Sequence, residues 1–202
     1  MAKKAWFQNR LNDHYLKKSR KENYRSRAVY KLEEIDKKYK LFKPGMAVLD
    51  LGAAPGSWSQ YVVNSLKNKG NIIAIDLLPI VPIDGVFIIE GDIRDKVNQE
   101  IIINKANGYL DVLLSDMAPD TTGVHHADTE NSALLVHLAL DMAEKLLKPG
   151  GSFIAKVFEG AEYKELLDRT KKLFGFAKSF NPKASLSRSR ELFLVAQKFK
   201  QK

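Results

Sequence analysis

Residues 46–61 read Met-Ala-Val-Leu-Asp50-Leu-Gly52-Ala-Ala-Pro55-Gly56-Ser57-Trp58-Ser-Gln-Tyr61. An apolar run ends in Asp50, a glycine-rich turn follows, and a segment that can be helical opens at Ser57 or Trp58. This is the strand–turn–helix entry of a nucleotide-binding α/β domain, in which glycines let the main chain approach a ligand closely. The spacing is not Gly-x-Gly-x-x-Gly, which seats a pyrophosphate on a helix N-terminus. Here Pro55 stiffens the turn and Asp50 stands just ahead of it. An acid at the tip of the first strand repels phosphate and suits a cation. S-adenosylmethionine (SAM) carries an amino group and a sulfonium and has no phosphate. Asp50-x-Gly52-x-x-Pro55-Gly56 therefore fits a SAM loop better than an NAD loop. A strand–helix turn without a ligand stays open on this stretch alone.

Working outward, strands alternate with helices. Strands are expected at 47–51, 72–76, 86–90, 110–115 and 152–157. Helices are expected at 57–68, 95–106, 131–147 and 163–173, with a long loop at 117–126. The 131–147 helix shows an apolar stripe through Leu134, Leu138, Met142 and Leu146. Such alternation implies a doubly wound, mostly parallel sheet. Two further strands, 176–180 and 192–196, have only the Ser- and Arg-rich loop 182–190 between them, so they form an antiparallel edge. That tail is expected of a Rossmann-like class I SAM-dependent methyltransferase more than of a dinucleotide fold. No linker is long enough for a second domain. The body is residues 41–202, and 1–40 form a basic arm and a helix, about 27–40, capped by Ser26 and packed on the body.

Charge is concentrated. Residues 1–40 hold thirteen basic and five acidic side chains, and the remaining 162 hold 20 and 19, for a net charge of +9. A polyanion-binding segment is thus attached to a nearly neutral body. Trp6, Phe7, Tyr15, Tyr24 and Tyr30 interleave with the cations and either stack on bases or anchor the segment to a core. There are no cysteines, which removes disulfides, thiolate metal sites and a cysteine nucleophile. No apolar run approaches the ~18 residues of a membrane span, and the N-terminus lacks the apolar core of a secretory signal. A cytoplasmic enzyme is expected, with RNA as its partner, no DNA and no membrane. His125 and His126 lack metal-ligand spacing, and no metal site is expected.

In open α/β sheets the site lies beyond the C-terminal ends of the parallel strands. That rule selects Asp50, Asp76, Asp92, Asp116 and Lys156. Asp76, twenty positions after Gly56, can accept the ribose hydroxyls of a nucleoside cofactor, and Asp92 can lie near an adenine amine. Lys156 interrupts the buried-strand run Phe153-Ile-Ala-Lys156-Val-Phe158. A lysine is rarely buried without a partner, and Asp116 on the adjacent strand is the natural one. A structural ion pair and a lysine placed for chemistry are both compatible with this pair.

Seven segments now stand in one order: Arg25-Ser-Arg-Ala-Val-Tyr-Lys31-Leu, Asp50 to Gln60, Asp76-Leu-Leu-Pro79, Gly91-Asp92, Ser115-Asp116-Met-Ala-Pro119, Ala155-Lys156-Val-Phe158 and Ser189-Arg-Glu191. Together they resemble the FtsJ (RrmJ-like) ribose 2′-O-methyltransferases over nearly the whole chain. The resemblance implies a seven-stranded sheet with the last strand inserted antiparallel. It implies a Lys-Asp-Lys-Glu tetrad on Lys31, Asp116, Lys156 and Glu191. It implies SAM contacts at Gly56, Trp58, Asp76, Asp92 and Asp116, beside the loop residues Asp50 and Gly52. Ser57 departs from the second glycine common in the family and is expected to cap the helix or tighten the loop. The compact size resembles the large-subunit rRNA enzymes. That implies a monomer methylating a uridine ribose in the A loop of 23S rRNA within the large ribosomal subunit. A tRNA anticodon-loop enzyme and a non-catalytic RNA-binding scaffold are the alternatives.

Overall fold

The computed structural model describes residues 14–185 and 190–200. Trp6, Phe7 and Ser189, singled out above, lie outside the described residues. In chain order the elements are α1 (His14–Lys21), α2 (Val29–Tyr39), β1 (Ala47–Leu51), α3 (Ser57–Ser65), β2 (Asn71–Asp76), β3 (Val86–Glu90), α4 (Lys96–Lys105), β4 (Leu110–Ser115), α5 (His125–Leu146), β5 (Leu147–Phe158), α6 (Tyr163–Leu173), β6 (Phe174–Phe180) and β7 (Glu191–Phe199). One seven-stranded sheet runs in the order β3-β2-β1-β4-β5-β7-β6. Strands β1 to β5 pair in parallel, and β7 runs antiparallel to both neighbours, between β5 and β6. The expected mostly parallel sheet with an inserted antiparallel last strand is the one observed.

Side chains on a strand alternate between faces, and that period sorts the core. Leu49, Leu51, Ile73, Ile75, Leu113, Phe153, Ala155 and Leu194 belong to one apolar cluster, which includes Ile102 of α4, Val136 and Leu140 of α5 and Leu166 of α6. The intervening Val48, Ile72, Val112, Leu114, Ile154, Phe193 and Val195 belong to the other, with Leu32 and Ile35 of α2 and Trp58, Val62 and Val63 of α3. By the same period Lys156 shares a face with Ile154, and Glu191 shares one with Phe193. Both therefore point to the α2 side. The register sets Lys156 opposite Phe193 and Phe158 opposite Glu191.

Three expectations need correction. Helix α5 begins at His125, not near 131, because Asp128 in its first turn accepts from the Thr122 amide at 2.7 Å, the Thr122 hydroxyl at 2.8 Å and the Gly123 amide at 3.2 Å. These bonds anchor the approach to the helix and stabilise its positive end. Of the expected stripe Met142 and Leu146 are buried and Leu138 packs against the core, but Leu134 is 64% exposed, and Ala133, Val136, Ala139, Leu140 and Ala143 complete the buried face. Ser26 does not cap α2. The cap position is Ala28, without a side-chain bond, and the Ser26 hydroxyl accepts from the Ala28 amide at 3.2 Å one turn earlier.

The aromatics of the basic segment that are described act as anchors. Tyr30 is buried, Tyr15 and Tyr24 pack against it, and its hydroxyl donates to Glu22 at 2.9 Å. This leaves Lys17, Arg20 and Lys21 of α1 exposed on the outside.

Candidate active site

The sheet order reverses at β1, where β2 lies on one side and β4 on the other. Chains leaving these strands part there and open a crevice. A cavity of about 570 Å³ occupies it, lined by Gly52 and Ala54 after β1, Asp76 to Leu78 after β2, Gly91 to Arg94 after β3 and Asp116 to Asp120 after β4. Asn131, Leu134, Leu135 and Leu138 of α5 close the far wall. The sequence placed these residues on a helix but read Leu134 and Leu138 as part of its core-facing stripe, so the wall was missed.

The glycine turn is tight. Gly52 has φ +70°, and a Cβ there would lie 2.8 Å from the backbone N and Cα of Met117. Asp76 ties both edges of the cavity together: one oxygen accepts from the Ala54 amide and the other from the Leu78 amide, at 2.8 and 2.9 Å. Each carboxylate oxygen retains a second acceptor site for a ligand hydroxyl. Asp92 is gripped by the Arg94 guanidinium, whose hydrogen bonds hold its carboxyl below the usual carboxylate range. The wall thus carries four carboxylates (Asp76, Asp92, Asp116, Asp120) and one guanidinium, Arg94. Such a site favours a cationic nucleoside over a dinucleotide phosphate.

Beside the cavity, two ion pairs meet on the α2 face of the sheet. Lys156 Nζ lies 2.9 Å from Asp116 Oδ1 and donates to the Asp116 carbonyl at 2.6 Å. Lys31 Nζ of α2 lies 2.5 Å from Glu191 Oε1 at the start of β7. Lys31 also sits 5.9 Å from the centroid of Phe193, the residue paired with Lys156. Burial by itself would raise the Glu191 pKa, but the contacting Lys31 and the nearby Lys156 outweigh it and hold the carboxyl below its ordinary value. All four side chains are largely buried, Lys156 and Glu191 at 10% exposure. The fold has therefore brought together residues 31, 116, 156 and 191 from four separate stretches.

Three expected cofactor residues, Asp50, Gly56 and Trp58, are not among those that line the cavity. Asp50 is fully buried, pointing down from β1 to the Ser59 hydroxyl, which donates to it at 2.7 Å. Its other oxygen has no hydrogen-bond partner among the described residues. Burial pushes its pKa up to about 7 against the opposing Ser59 bond, with Asp116 and Asp76 adding to the rise. Buried beneath the loop, it does not reach the cavity surface. Trp58 is 2% exposed, donates to the Ala28 carbonyl at 2.9 Å and packs on Phe193. It supports the helix that carries Lys31. Gly56, at φ +105°, is the N-cap of α3 and shapes the turn from behind the cavity wall. Ser57 is the first helical residue and not the cap; its hydroxyl lies 2.7 Å from that of Ser26, so it ties the turn to the N-terminal segment.

The family model for FtsJ-like methyltransferases matches residues 24–199. That span takes in the glycine turn, the cavity and all four members of the paired charge cluster. The chain belongs to the FtsJ-like methyltransferase family. Among its relatives, the ribosomal RNA large subunit methyltransferase E of Acinetobacter baumannii is 46% identical over 197 residues, 97% of this chain and 91% of that protein. Its namesake from Legionella pneumophila is 47% identical, covering 97% of this chain and 96% of the relative. Among solved structures, a ribosomal RNA methyltransferase of Plasmodium falciparum superposes with a TM-score of 0.80 at 32% identity, over 89% of this chain and all of that one. As an FtsJ-like methyltransferase the protein takes SAM as cofactor. The acid-lined, glycine-floored cavity fits that molecule, with Gly52, Asp76, Asp92 and Asp116 the predicted residues that line it.

Proposed function

We propose that this FtsJ-like methyltransferase transfers a methyl group from SAM to a ribose 2′-hydroxyl of ribosomal RNA. On this reading the target is a uridine in the A loop of 23S rRNA, met within the large ribosomal subunit by a monomeric, cytoplasmic enzyme. The observation that carries the reading is the Lys156–Asp116 pair at the cavity edge, buttressed by Lys31–Glu191. Identity to the large subunit methyltransferases named above supports the choice of RNA. Thirteen basic residues in the first forty supply the phosphate attraction that RNA binding needs. Residues 1–40 are assigned as the RNA-binding arm and 41–202 as the methyltransferase domain.

A ribose hydroxyl is a weak nucleophile at neutral pH. It must be aligned with the methyl group and must give up its proton as the new O–C bond forms. Bound SAM supplies an electrophilic methyl on a sulfonium, a leaving group that departs neutral. Lys156, fixed by Asp116 at the cavity edge, holds the 2′-oxygen through a hydrogen bond while charged and takes its proton when neutral. Asp116 sets the direction of the ammonium through both its side chain and its carbonyl. Glu191 holds Lys31, and together they place a second cation and an anion beside Lys156, where the ribose enters. Gly52, Asp76 and Asp92 seat the cofactor, while Gly56, Asp50 and Trp58 maintain the shape of its loop.

The test is methyl transfer from labelled SAM to large ribosomal subunits, free rRNA and tRNA. Incorporation at one ribose of large-subunit rRNA is expected. Incorporation confined to tRNA would overturn the proposed substrate, and none into any RNA would overturn the reaction.

A further inference from the structure

The cofactor turn and the basic segment are joined by a seam that the catalytic reading leaves unused. The Arg25 amide donates to the Gln60 side chain at 2.9 Å, and Gln60 donates back to the Asn23 carbonyl at 3.2 Å. The Ser26 and Ser57 hydroxyls meet at 2.7 Å, and the Trp58 indole donates to the Ala28 carbonyl at 2.9 Å. At the centre of this seam the Arg25 guanidinium takes three carbonyls from two loops: Pro55 at 3.0 Å and Val81 at 2.6 Å through Nη1, and Pro82 at 2.9 Å through Nη2. A Cβ at Gly56 would lie 2.8 Å from Nη1, so the turn leaves just the room this guanidinium fills.

Both loops border the cavity. Pro55 follows Ala54, which lines it, and residues 77–85 begin with Leu77 and Leu78, which also line it. Those nine residues belong to no helix or strand, and Leu77, Leu78 and Val81 are more than 60% exposed. Buried Ile80 and the neighbouring Ile83 seat the middle of the loop by apolar contact, while polar ties hold its exposed stretches. Asp76 supplies one tie at Leu78 and Arg25 supplies the two at Val81 and Pro82. A planar, five-donor fork can span these carbonyls, whereas an ammonium acts as a single point.

We propose that Arg25 is a positioning residue for the cofactor: it clips the 77–85 loop to the glycine turn and sets the width of the SAM cavity. The inference deepens the methyltransferase reading and rests on it. It also separates Arg25 from the other cations of its segment, because its donors are turned inward to carbonyls and not outward to RNA phosphate.

The experiment is SAM binding by titration calorimetry on Arg25→Lys and Arg25→Ala without RNA. It is joined by KM for SAM, kcat at saturating SAM, and the salt dependence of RNA binding. Arg25→Lys keeps the charge and loses the fork. It should weaken SAM roughly tenfold in both Kd and KM, with kcat and the salt slope of RNA binding close to wild type. Arg25→Ala should lose as much. Gln60→Ala, which releases the Arg25 amide and the Asn23 carbonyl but leaves the guanidinium bonds in place, should shift the same constants less and keeps the question answerable if neither Arg25 variant folds. Wild-type SAM affinity in Arg25→Lys would overturn the proposal. So would a SAM loss explained by an equal fall in unfolding free energy without ligand, or a reduced salt slope with SAM affinity intact. A wild-type chain that itself bound no SAM would instead overturn the reading beneath it.

Discussion

The two halves of the site are built differently. The cofactor half consists of the loops after β1, β2, β3 and β4, which carry its carboxylates and are tied together by Asp76 and Arg25, closed by apolar side chains of α5. The half proposed as catalytic consists of four charged side chains held by two ion pairs between α2, the end of β4, β5 and β7. The first half is shape made by the chain's path and tolerates little added volume. The second is charge balanced in partial burial, where removing one partner strands the other. Substitutions should therefore separate: the first half should show its losses in cofactor affinity, the second in turnover.

The largest expected effect is on the catalytic half. Lys156→Ala should lower kcat by about 10²–10⁴-fold, the usual range for losing a positioned acid–base group, with SAM affinity within about twofold of wild type. Single-turnover methyl transfer and calorimetry together read both values, and an equal fall in SAM affinity would break the division. Next comes the cofactor half. Gly52→Ala places a Cβ 2.8 Å from the Met117 backbone at a φ of +70°, a conformation that alanine adopts only with strain. SAM binding should weaken by at least about tenfold, measured by the same titration.

Asp50 sharpens the comparison, because it lies under the cofactor loop and yet belongs to the fold. Its folded pKa of about 7 exceeds the ordinary value of about 4. Between those values the unfolded chain has released its proton and the native chain still holds it. This group's contribution to stability therefore falls as pH rises from about 4 to about 7 and is level above that. The loss is at most a few kcal/mol. Asp50→Asn should remove that slope, leaving it more stable relative to wild type at pH 8 than at pH 5 in urea unfolding. Trp58→Phe has the smallest effect. It keeps an aromatic ring against Phe193 but loses the bond to the Ala28 carbonyl. That should cost about 1 kcal/mol of stability and leave SAM affinity unchanged. A large affinity loss would return Trp58 to the cofactor half.

The same division explains what could be read from the sequence. Turn chemistry is local, so Gly52, Asp76 and Asp92 were identifiable from strand ends and spacing, and so was an antiparallel edge once β6 and β7 lacked a helix between them; the insertion of the last strand came only from the resemblance. Lys156 was visible as a charge inside an apolar run. Lys31 and Glu191 carry no such local signal. Only the family resemblance named them, and only the inserted position of β7 puts residue 191 beside residue 31. The facing of Asp50 and Trp58 was not legible, because sequence adjacency to the turn hides which face of a strand or helix a side chain takes. Asp50 shares its face with Val48 and meets Ser59, and Trp58 turns inward to α2. The inward contacts of Arg25 went unread for the opposite reason. Its partners are main-chain carbonyls 30 to 57 residues away, and a carbonyl leaves no mark on a sequence.

The most direct test of the central claim is a map of ribose methylation across ribosomal and transfer RNA in cells lacking the gene, complemented with wild type or with Lys156→Ala. The account predicts that one 2′-O-methyl group in large-subunit rRNA disappears, returns with the wild-type chain and does not return with Lys156→Ala. An unchanged map, or full restoration by Lys156→Ala, would contradict it.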